Sequence, residues 1–127
     1  MEEDEIGRGV VDAAVQIHRD LGPGLLEVVY EVILAHELRS RGLHVERQVP
    51  VPLVYKGVKF EGAFRIDLIV ERKVILELKC VEALNNAHKK QLLTYLRLSD
   101  KRLGYLLNFG DAVMKGGMVR IVNRLSE

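Results

Sequence analysis

Apolar residues at Ile6, Val10, Ala13, Ala14, Ile17 and Leu21 recur at the three- and four-residue intervals that set one stripe of a helix against a core. Gly22-Pro23-Gly24 ends that pattern. A second helical pattern runs from about Leu26 to Arg41, with Val29, Ile33, Leu34 and Leu38 on one side and Gly42 placed to cap it. Between His44 and Glu82 the period changes and β-branched residues become dense, which predicts three strands over 49–55, 64–70 and 74–81. Lys56-Gly57 and Glu71-Arg72-Lys73 are turns short enough to join antiparallel neighbours. Pro50 and Pro52 lack the N–H that a central strand needs, so the first strand belongs at an edge. Helical spacing returns from Asn86 to Leu98, followed by a buried strand over 104–109 and a short strand over 118–122. Helix, helix, three strands, helix, strand, strand predicts a mixed sheet flanked by helices.

Composition adds bounds. The 127-residue chain has the size of one domain, and 48% apolar with 29% charged residues is near the globular average, so a packed core forms. The lone Cys80 cannot close an internal disulfide, and Met1-Glu2-Glu3-Asp4-Glu5 is acidic where a signal peptide is basic and then apolar, so the expected location is the cytoplasm. Apolar runs such as Val32-Ile33-Leu34-Ala35 fall far short of the roughly 20 residues of a membrane span. A net charge of +1 does not announce a polyanion partner. A nucleic-acid groove would have to be gathered locally from Arg39, Arg41, Arg47, Lys56, Lys59, Lys89, Lys90, Lys101 and Arg102.

The chemistry lies in two strands. Asp67 interrupts the apolar run Phe64 to Val70, where an unpaired buried carboxylate is costly, and Glu77 with Lys79 interrupts the aliphatic run that follows. A hairpin centred near Arg72 sets Asp67 opposite Glu77, both carboxylates on one face. Opposed like charges repel unless a cation lies between them, and a hard divalent ion with oxygen ligands suits the pair. Lys79, two residues on, shares that face and is placed to orient a water and stabilise phosphate charge. The competing reading is an exposed face where polar residues alternate with core residues.

Asp67 followed by Glu77-Leu78-Lys79 resembles the Asp…(Asp/Glu)-x-Lys signature of the PD-(D/E)xK nuclease superfamily, although Ile66 stands where the naming proline would be. Gly24-Leu25-Leu26-Glu27-Val28-Val29-Tyr30 resembles the motif of the GxxExxY proteins, small prokaryotic members of that superfamily. Gln91-Leu92-Leu93-Thr94-Tyr95 is similar to the Gln-x-x-x-Tyr element of related nucleases.

The resemblance implies an α/β, restriction-endonuclease-like core with an N-terminal helix pair, forming one domain over residues 1–127. It implies a nuclease that uses Mg2+ or Mn2+ to activate a water against nucleic acid, DNA before RNA. Asp67, Glu77, the carbonyl of Leu78 and Glu27 would hold the metal, Lys79 and Gln91 would assist, and Tyr95, His88 and Lys89 would meet phosphate. Against this stands a non-catalytic module that keeps the fold to bind nucleic acid or protein. A homodimer or protein partner would meet Val49 to Tyr55 or the last strand.

Other features rank lower. His18, His36, His44 and His88 lack zinc-ligand spacing, and His18 and His36 read as partly exposed helix residues. The 110–117 segment lacks the Gly-Lys-Ser/Thr ending of a phosphate loop. Helix-dipole stabilisation by Glu27, core packing of Tyr30 and an inert Cys80 are the plain alternatives for those residues.

Overall fold

A computed structural model describes residues 1–125 of the chain. Its elements are α1 (Glu3–Leu21), α2 (Glu27–Ser40), β1 (Val45–Tyr55), β2 (Val58–Val70), β3 (Val74–Lys79), α3 (Asn86–Ser99), β4 (Leu103–Asn108), a 3-10 turn (Met114–Gly117) and β5 (Met118–Val122). The order is the expected one. Among the described residues no helix is long and apolar enough to cross a membrane.

The five strands form one mixed sheet in the order β1-β2-β3-β4-β5. β1, β2 and β3 are an antiparallel meander, α3 carries the chain across to a parallel β4, and β5 returns antiparallel. Both ends of α3 are sealed. Asn85 accepts the His88 amide at 3.0 Å while His88 Nδ1 accepts the Asn85 amide at 3.2 Å, a reciprocal cap, and Asp100 closes the far end in the left-handed conformation. Gly42, at φ 88, ends α2 as expected: its N–H donates to Arg39 O (2.9 Å) and the Leu43 N–H to Leu38 O (3.1 Å).

α1 and α2 cover one face of the sheet. Ile6, Val10, Ala13, Ala14 and Ile17 pack with Leu34 and Leu38 on Leu68, Leu76, Leu78 and Leu107, whereas Leu21 is exposed. α3 covers the other face, where Leu92, Tyr95 and Leu96 meet Ile69, Ile75 and Leu106. One expectation for α2 is corrected: Val29 faces outward, and the line facing inward is Tyr30, Glu31, Leu34, Ala35 and Leu38. Val28, Val29 and Val32 make α2 apolar nearly all round, so apolar spacing alone does not select its inner face. Tyr30 selects it, stacked on Phe109 at 4.4 Å with its hydroxyl donating to the Gly22 carbonyl.

β1 and β2 are longer than their apolar patterns suggest. Regular pairing of β2 with β3 covers only Leu68 to Val70, while β1 and β2 pair with each other from Val45 and Val70 to the turn at Lys56-Gly57. Lys56 and Gly57 both have positive φ, 50 and 79, the backbone of a two-residue hairpin turn. A two-stranded ribbon therefore leaves the sheet just beyond Asp67.

Candidate metal centre

The β2–β3 ladder pairs Leu68 with Leu76, Ile69 with Ile75 and Val70 with Val74, which brings Asp67 and Glu77 to the next facing position. There the backbone pattern gives way to side chains. The Asp67 N–H donates to Glu77 Oε1 at 3.0 Å, and the Leu78 N–H donates to Asp67 Oδ2 at 2.9 Å. Each carboxylate takes the amide that a carbonyl would take in a regular sheet, so the strands part with both acids held between them. Across β2 the partner position is Gln48, which takes a left-handed φ of 54 between the pairs Arg47–Leu68 and Val49–Ile66. β1 is thus kinked beside Asp67.

Burial controls the electrostatics. Glu77 is 4% exposed, and loss of solvent together with the Asp67 charge pushes its carboxyl up to about 8, against the Asp67 amide and the Lys79 charge. Asp67 is raised to about 6 by burial, opposed by the Leu78 amide bond and Lys79 and assisted by the charges of Glu31 and Glu27. Tyr95 is also raised, first by burial and then by Glu77 and Asp67, which sets its phenol within the field of the pair. Two acids that resist shared ionisation require a proton or a cation, and oxygen-only donors fit a hard divalent ion. Asp67, Glu77, Lys79 and Tyr95 thus come together.

The other expected residues lie around this group. Glu27 begins α2 in an exposed position, and its charge reaches Asp67 and Cys80 without contact. Among the described residues no three His, Cys, Asp or Glu side chains converge on one point. Gln91 is exposed one helical turn before Tyr95, and Lys89 is exposed near the start of α3. His88 has its Nδ1 committed to the cap. Leu78 is engaged through its amide. Tyr30 is core, and the Cys80 thiol is raised by burial and by Glu27, the opposite of an activated thiol.

Two residues outside the expected set shape the site. Glu31, 4% exposed, accepts Arg47 Nε and Nη2 on one oxygen at 3.1 and 2.9 Å and Gln48 Nε2 on the other at 2.8 Å. It ties α2 to the kink beside Asp67. The available signal was its position four residues after Glu27, on the same helix side. Asn108, fully buried, accepts the Val81 and Gly110 amides at 3.0 and 3.1 Å and donates to the Val81 carbonyl at 2.9 Å. With the Phe109 amide on the Lys79 carbonyl at 2.9 Å, it clamps the chain leaving Lys79.

His18 is corrected: it is buried, with Nε2 2.8 Å from the Asp111 carbonyl. It borders a groove of about 720 Å³ that includes Val11, Val15, Pro23 and Met114 and lies apart from the carboxylates.

A mixed sheet covered by helices on both faces, with two acids and a lysine where two strands part, defines a nuclease-like core. The chain belongs to the PD-(D/E)XK nuclease superfamily, whose family model matches residues 4–121. Membership suggests hydrolysis of phosphodiester bonds in nucleic acid. Neither a curated protein nor a solved structure matches the chain.

Proposed function

We propose that this protein is a magnesium- or manganese-dependent nuclease acting on DNA. The observation that supports it best is the reciprocal embrace of Asp67 and Glu77, each fixed by the other strand's amide, with Lys79 on the same face. A solvated sheet face has no need to bury two opposed acids, and a non-catalytic module has no need of the lysine beside them.

In this reading Asp67 and Glu77 hold the metal and the Leu78 carbonyl completes the set. The bound ion would supply Lewis acidity toward a phosphate oxygen and lower the pKa of a water ligand. Lys79 orients the attacking water and meets charge that develops on the phosphate. Tyr95 and Gln91 position substrate from α3, while Glu27 tunes the field from the rim. The Gly24 to Tyr30 motif supports membership of the GxxExxY proteins, and the lone Cys80 agrees with a cytoplasmic setting.

The test is manganese titration calorimetry on the natural chain, Asp67→Asn and Glu77→Gln, followed by cleavage of DNA substrates. One site, lost in both variants, together with cleavage lost in Asp67→Asn, is the expected result. An Asp67→Asn protein that still cleaved in a metal-dependent way at full rate would overturn the mechanism.

A further inference from the structure

The β1–β2 ribbon has two unlike faces. Register sets Leu53 opposite Phe60 and Tyr55 opposite Val58, so these four side chains share a face; across a register shift between Val51 and Leu53 this face follows on along β1 from Val51, which packs under α3. Closer in, Phe64 meets Tyr95 edge-on at 5.5 Å, joining this face to the carboxylate site. Towards the tip nothing covers it: Tyr55 is 61% and Phe60 48% exposed. Two strands alone are marginally stable in water, and exposed aromatics there need an explanation.

We infer that this ribbon is a clamp for unpaired nucleic acid, with Tyr55 and Phe60 as base-stacking platforms and Lys56, at the turn beside Tyr55, as a phosphate contact. This rests on the nuclease reading of the Asp67–Glu77 site and names the form of its substrate. Two observations favour a polynucleotide over a second copy of the chain. Residues 52–65 hold three cations and one acid, Glu61, which pairs with Lys59 at 3.3 Å, so the segment is net positive, whereas the whole chain is only +1 and the remainder net negative. Pro50 and Pro52 remove N–H donors from the free edge of β1, which blunts strand-to-strand pairing.

Stacking on rings also suits the geometry. The Lys56 ammonium lies 5.4 Å from the centre of the Tyr55 ring, a charge beside a flat apolar face. The ribbon continues directly from the strand that carries Asp67, and the seven steps from Phe60 to Asp67 span on the order of 20 Å. A strand of several nucleotides held on the tip is thereby led to the carboxylates, whereas a duplex offers no free base faces to the rings.

The experiment is fluorescence anisotropy with a labelled oligothymidylate of about 16 nucleotides, in chelator so that nothing is cut, against the same length of duplex. Tyr55→Ala/Phe60→Ala should weaken single-strand binding about tenfold or more and leave duplex binding nearly unchanged. Tyr55→Leu/Phe60→Leu, which keeps the apolar area but removes the ring faces, should weaken it similarly. Lys56→Gln should flatten the salt dependence by a slope of about 0.7. Unchanged single-strand affinity in both aromatic variants overturns the inference, as does full rescue by leucine. Light scattering that finds a dimer broken by the aromatic variants, with oligonucleotide affinity intact, also overturns it and assigns the ribbon to a second copy. Manganese titration of the same variants separates the two readings: an intact metal site with unaltered binding sinks the clamp alone, and absent metal binding in the natural chain sinks the nuclease reading alone.

Discussion

Asp67 and Glu77 were legible because each is a charge set in an aliphatic strand, and a period of two then says which face it occupies. Their electrostatics reverse the usual carboxylate effect on stability. Both bind a proton more tightly when folded, so the stabilisation is complete below their ordinary values of 3.8 and 4.5 and is lost as pH rises through about 6 and about 8. Metal-free protein should therefore lose thermal stability between pH 5 and 8, and Glu77→Gln, still able to accept the Asp67 amide, should flatten that fall. A natural chain and variant with parallel pH profiles would contradict the burial argument. Glu31 was not legible, because an acid on a helix looks the same whether solvated or locked. Its three hydrogen bonds are visible only once β1 lies beside α2. Glu31→Leu leaves Arg47 and Gln48 without their acceptor and should cost about 1–3 kcal/mol in chemical denaturation, with weaker manganese binding because the kink beside Asp67 loosens.

At the scale of elements, α1 and α3 were readable from spacing because each buries a single stripe. The outer part of β2 was not. Between Val58 and Ala63 it pairs only with β1 and has no cover, so alternation was never imposed on it and Gly62 bends it at φ 66. The clamp on Val81 was equally hidden, since a polar residue ending a strand has many roles. Asn108 fastens the end of β4 to the segment after Lys79, and Gly110 lets the two backbones approach, as a Cβ there would lie 2.7 Å from the Val81 carbonyl oxygen. Asn108→Ala removes three buried hydrogen bonds and should cost about 2–4 kcal/mol. Hydrogen exchange at Val81 and Gly110 should accelerate far more than at core amides of β3. Uniform acceleration would mean that Asn108 supports the whole sheet rather than the Lys79 end.

Across the molecule, both helical layers bear on one point of the sheet. α2 imposes the charges of Glu27 and Glu31 on Asp67, α3 brings Tyr95, and the meander parts its strands between them, concentrating negative potential around the pair. The folded pair thereby calls for a proton or a cation, which the unfolded chain, with its acids solvated and apart, does not need. Manganese should consequently act as a stabiliser of the whole fold: at about 100 times its dissociation constant, linkage adds roughly 2.7 kcal/mol, or near 10 °C for a domain of this size. The increment should be larger at pH 8 than at pH 5.5, because the two carboxyls must release their protons to take the metal and the proton competes at the lower pH. Scanning calorimetry with and without manganese at both pH values measures it directly, and Glu77→Gln should remove most of the increment at pH 8. A rise of equal size in Glu77→Gln would place the stabilising ion elsewhere on the surface and detach the buried acids from the metal.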